Sequence, residues 1–67
     1  MKIIKTLKAL GEAENKGDKR KALQLLEIVH DWAIENPSIA KRIKLDINGC
    51  EARLMVLRFE VEQLDGK

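Results

Sequence analysis

The chain has 67 residues, of which 45% are apolar, 3% aromatic and 36% charged, and its formal net charge is +2. The apolar content and the single proline exclude extensive disorder, no stretch approaches the roughly 18 apolar residues of a membrane span, and a lone cysteine excludes an intramolecular disulfide. A chain of this length buries only roughly 60% of its unfolded surface when it folds alone, so one domain over residues 1–67 gains by associating with a partner.

The first apolar run places Ile3, Leu7 and Leu10 on one helical face, with Ile4 beside them and Lys2, Lys5, Lys8 and Glu12 elsewhere, which predicts a short amphipathic helix over residues 2–15. Lys5 and Lys8 also interrupt any signal-peptide core after the Met-Lys start, and a cytoplasmic setting is expected. Asn15, Lys16, Gly17 and Asp18 then form a break in which Gly17 suits a left-handed helix end and Asp18 can cap the next helix. A second helix is predicted over residues 19–35, with Ala22, Leu25, Leu26, Val29, Trp32 and Ala33 on one face and Leu23, Ile28 and Ile34 widening it. Asn36-Pro37 stops that helix and starts another, because the residue before proline resists the helical region and proline suits the first turn.

From Ala40 onward the apolar residues fall at Ala40, Ile43, Ile47, Cys50, Leu54, Leu57, Val61 and Leu64, alternating steps of three and four that mark a helix–helix seam. Asn48-Gly49 is a turn signal within this run, but the seam keeps its phase across it. One helix over residues 37–64 is therefore predicted, with a break at Gly49 as the alternative. A second apolar set, Ala52, Met55, Val56 and Phe59 with Leu45 earlier, lies away from the seam. A helix apolar on two faces needs two neighbours.

The charges bordering the seam run Lys44, Glu51, Arg58, Asp65 on one side and Asp46, Arg53, Glu60, Lys67 on the other. In a parallel self-pair Asp46 would face Glu51, Arg53 would face Arg58 and Glu60 would face Asp65, all like-charged. In an antiparallel self-pair Lys44 meets Asp65, Glu51 meets Arg58, Asp46 meets Lys67 and Arg53 meets Glu60, all opposite. The seam is accordingly expected to form an antiparallel dimer through Ile43, Ile47, Cys50, Leu54, Leu57, Val61 and Leu64, flanked by Glu51, Arg58, Arg53 and Glu60. The other apolar face would then pack on the hairpin of the same chain.

Catalytic and ligand chemistry finds little to work with. The chain has one histidine, one cysteine, no tyrosine, and single serine and threonine residues at Ser38 and Thr6, and no pairing of nucleophile and base stands out. His30 with Cys50 leaves a zinc ion two ligands short, and the glycines Gly11, Gly17, Gly49 and Gly66 are too isolated for a phosphate loop. His30 reads as a structural histidine, Cys50 as a small core residue and Trp32 as a core anchor. No enzyme activity, cofactor, metal, small-molecule substrate or membrane partner is expected.

Residues 1–21 carry seven basic and three acidic groups, which read as the solvated face of an amphipathic helix, since no aromatic residue lies among them. The run from Ala13 to Leu23 resembles the turn of a tetratricopeptide repeat, which implies an antiparallel helical hairpin over about a sixth of the chain. Ser38-Ile39-Ala40-Lys41-Arg42-Ile43 resembles the positioning helix of a helix-turn-helix, with the segment from Asn48 as the reading helix. Lys44 stands there in place of the usual turn glycine and Arg53 in place of a core residue. If the chain breaks, Lys41, Arg42, Lys44 and Arg53 are the candidate nucleic-acid contacts.

The sequence thus predicts an all-α fold: a helical hairpin plus a long third helix, three helices per protomer, associating as an antiparallel helical-bundle dimer. The expected role is that of a small interaction or regulatory module that works as a homodimer and meets another protein. A nucleic-acid-binding regulator is the alternative.

Overall fold

A computed structural model describes residues 2–66 and is all-helical: α1 Lys2–Lys16, α2 Lys19–Glu35, α3 Pro37–Arg42 and α4 Ile47–Asp65. The first two helices and the proline start match the expected boundaries. The predicted long third helix does not, because the chain divides into α3 and α4 at Ile43–Asp46.

Two connections of the same type shape the chain. Gly17 takes φ +74°, its amide donates to the Glu14 carbonyl at 3.1 Å, and the Asp18 amide donates to the Ala13 carbonyl at 2.9 Å. This pair of bonds, known as the Schellman motif, satisfies carbonyls that a helix end otherwise leaves bare. Asp18 then caps α2, its carboxylate accepting from the Lys21 amide at 3.2 Å. The second connection repeats the pattern without a glycine. Lys44 takes φ +60°, its amide donates to the Lys41 carbonyl at 3.1 Å, and the Leu45 amide donates to the Ala40 carbonyl at 2.9 Å.

A left-handed non-glycine residue costs roughly 1–2 kcal/mol. Leu45, packed against the core, and Asp46, whose carboxylate accepts from the Asn48 amide at 3.1 Å at the start of α4, offset that cost. Gly49, the expected weak point, lies inside the first turn of α4. A Cβ there would sit 3.0 Å from the Asp46 carboxylate, so glycine makes room for the cap and does not end a helix.

α2 is the middle of the molecule, packed by α1 on one side and α4 on the other, while α3 rests on α2 and α1 and α4 have little contact with each other. The core is Ile3, Leu10 and Ala13 from α1, Ala22, Leu26, Val29 and Ala33 from α2, Ala40 from α3, and Cys50 and Leu54 from α4. Leu26 and Val29 are fully enclosed. Ile28 and Ile34, expected to widen the buried face of α2, are instead about half exposed. The backbone measures only 41 × 20 × 14 Å along its principal axes. A body this thin leaves the side of α4 that faces away from α2 without cover.

Candidate interaction surface

The seam of α4 is turned inward. Cys50 and Leu54 are buried, Leu57 packs against the core, Ile47 and Val61 are half-buried, and only Leu64 near the end of the helix is well exposed. Ile43 lies before α4, half-buried in the connection. α2 runs antiparallel to α4, and its own charges answer those beside the seam. On one side His30 Nε2 lies 3.4 Å from Glu51, Glu27 lies 3.7 Å from Arg58, and Arg20 pairs with Asp65. On the other, Arg53 pairs with Glu14 of α1 and Glu60 with Lys19 of α2.

The antiparallel, charge-matched neighbour read from the sequence is therefore present, but within the same chain. Tethering explains why α2 takes this seam. Two short connections hold α2 beside α4 at an effective concentration in the millimolar range, which a separate copy does not reach at ordinary protein concentration. Asp46 caps α4 and is not a seam charge, and Lys67, its expected partner, lies outside the described residues.

The opposite face of α4 is the open one. Met55, Val56 and Phe59 are 70%, 58% and 62% exposed, and Ala52 one turn earlier is exposed as well. With Gln63 they make a stripe over three turns. Beside it, where α1 ends, a shallow cavity of about 290 Å³ is lined by Glu14, Ala52, Arg53, Val56, Leu57 and Glu60. The face assigned from the sequence to the hairpin is the face left to solvent.

A second apolar groove, of about 550 Å³, opens between α1, α2 and α3 and is lined by Lys2, Ile3, Thr6, Ile28, Trp32 and Ile39. Trp32 is half-buried and packed against the core, in keeping with an anchor, and presents one side to this groove. The sequence reading, which puts Ile28 on a widened buried face, misses this groove; the signal that could have found it is that Ile28 falls off the face shared by Leu26, Val29 and Ala33.

Of the four candidate residues for nucleic-acid contact, Lys41, Arg42 and Lys44 are exposed together at the end of α3 and in the following turn. Arg53 does not join them: it lies on α4 and pairs with Glu14 of α1. Cys50 is buried, and burial pushes its thiol up from the ordinary range, with Asp46 adding to the effect and Arg53 opposing it. It is a core residue and a poor nucleophile. Among the described residues no group of histidine, cysteine and carboxylate side chains is arranged to hold a metal, and no helix is long and apolar enough to cross a membrane.

No protein-family model matches this chain, and neither a curated protein nor a solved structure matches it. The functional reading therefore rests on the surface alone.

Proposed function

We propose that this protein is a non-catalytic cytoplasmic interaction module that acts as a homodimer through the outer face of α4 and offers its remaining helical surface to another protein. The observation that carries this reading is the run of Met55, Val56 and Phe59, each more than half exposed on consecutive turns. Contiguous apolar patches on a soluble surface mark association sites. Full burial of side chains of this size stabilises by about 1.5–3 kcal/mol each, and two copies bring six. That gain is of the same order as the association cost of about 4–15 kcal/mol, so the dimer is expected to be weak and to depend on concentration.

Sedimentation equilibrium from one to several hundred micromolar tests the reading. The native chain is expected to move from monomer to dimer over that range, and Phe59→Asp is expected to stay monomeric with its helicity unchanged. A native chain that is monomeric throughout, or a Phe59→Asp variant that associates as the native chain does, contradicts it.

The break between α3 and α4 favours one other reading, because it groups Lys41, Arg42 and Lys44 on an exposed turn. Contacts of this kind to nucleic-acid phosphates would weaken steeply as salt rises. The homodimer reading predicts an association that salt changes little, and no binding to duplex DNA at physiological ionic strength.

A further inference from the structure

We infer that the second copy lies antiparallel on the outer face of α4, with its Phe59 seated in the cavity beside Ala52 and Val56. This rests on the homodimer reading and goes beyond it by fixing orientation and register. The spacing of the exposed stripe sets the register. Ala52, Val56, Phe59 and Gln63 repeat at steps of four, three and four, the pattern of a two-helix seam. In an antiparallel pair Val56 opposes Phe59 of the second copy, and Ala52 opposes Gln63, each contact occurring twice about the two-fold axis. Small faces large at the centre, and the polar Gln63 falls at the two ends, where water reaches it.

The cavity supplies the receiving side. Its volume of about 290 Å³ exceeds the roughly 150 Å³ that holds a benzene ring, and Ala52 and Val56 line it. Phe59, 62% exposed, stands next to that cavity on its own helix and fills the equivalent one on the other.

Charge completes the register. Arg53 and Glu60 lie two turns apart on one edge of the stripe, and antiparallel packing brings Arg53 of one copy against Glu60 of the other. Each already has a partner at home: Arg53 pairs with Glu14, and Glu60 with Lys19. Docking joins these into an alternating row of Glu14, Arg53, then Glu60 and Lys19 of the second copy, formed twice. A parallel pair would instead set Arg53 against Asn48 and Glu60 against Met55, and would stack Phe59 on Phe59. Complementary edges of this kind select orientation more than they add affinity.

Two measurements test the arrangement. In a Cys50→Ala background, Ala52→Cys and a tagged Gln63→Cys are mixed and treated with a short thiol crosslinker. The 52–63 product is expected to dominate. A dominant 52–52 product means parallel packing and overturns the register while leaving the homodimer reading intact. No crosslink between chains that still sediment as dimers overturns the face. Monomers at every concentration overturn both. The second measurement uses charge. Arg53→Glu and Glu60→Arg each place two like-charge contacts in an antiparallel homodimer, and mixing the two variants restores both opposite-charge contacts. Each alone is expected to associate several-fold more weakly than the native chain, and the mixture is expected to form more heterodimer than the statistical half. A statistical mixture, with helicity by circular dichroism showing both variants folded, overturns the register.

Discussion

The two faces of α4 carry similar side chains and meet opposite fates. The inner face places Cys50 and Leu54 in the core, and every charge at its edge from Glu51 to Asp65 has a partner on α1 or α2. The outer face has Met55, Val56 and Phe59 in solvent. The difference lies in which face the short connections bring against α2, because hydrophobicity alone does not separate the two. A heptad seam with matched charges says that an antiparallel helix lies opposite; it does not say whose helix that is.

Substitutions break or sharpen this contrast. Leu26→Ala, in the fully enclosed centre against which both flanking helices pack, is expected to cost about 2–5 kcal/mol, as large-to-small core changes do. Stability of about 0.05–0.15 kcal/mol per residue makes that a large part of the total. Phe59→Ala, measured at a concentration where the chain is monomeric, should change stability by no more than about 0.5 kcal/mol. Urea unfolding of both variants checks the pair, and equal losses would erase the distinction between the faces.

Cys50 reports the inner face chemically. Its burial and its raised thiol pKa predict slow reaction with a thiol reagent in native buffer and rapid reaction in denaturant. The same shift gives stability a definite pH dependence. A thiol with a higher pKa in the folded chain favours folding less as pH rises past about 8.5, where the unfolded thiol ionises, so stability should fall on the alkaline side. Rapid native labelling would place Cys50 on an open surface.

The connection before α4 predicts a gain. Lys44→Gly removes the left-handed penalty at φ +60° and should raise stability by about 1 kcal/mol, whereas Lys44→Ala should not, since its Cβ meets the same restriction. If the segment were one continuous helix, glycine would instead cost about 1 kcal/mol. The sign of the change therefore distinguishes the two backbones. Smallest of all, Arg58→Ala removes an exposed pair with Glu27 at 3.7 Å and should cost less than about 1 kcal/mol. Thermal unfolding at low and high salt measures it.

Much of the fold is written locally. Gly17 and Asp18 mark the first turn and Asn36-Pro37 the second, because each carries its own backbone requirement. The break at Lys44 has no such mark. It arises when the Ala40 and Lys41 carbonyls find amides across the turn, Leu45 reaches the core and Asp46 caps α4, a sum of tertiary contacts that residue type at position 44 does not announce. Asn48-Gly49 reads as a weak point because glycine is a common helix end, yet here it admits a capping carboxylate.

The candidate surface was half legible. Ala52, Met55, Val56 and Phe59 stand out as a second apolar face, but the choice between faces depends on tether length and helix placement, which side-chain pattern does not encode. The groove at Trp32 was less visible still. Its walls come from three helices, and Ile28, which lines it, reads in the sequence as part of a widened buried face.

The proposed second copy is placed on the outer side of α4, and a dilution series observed through methyl resonances tests that proposal directly. On raising the concentration through the micromolar range, the Met55 and Val56 methyls and the Phe59 ring are predicted to shift together along a single binding curve while the Leu26 and Leu54 methyls stay in place. Shifts led by Leu26 and Leu54, or outer-face signals unchanged up to several hundred micromolar, would contradict it.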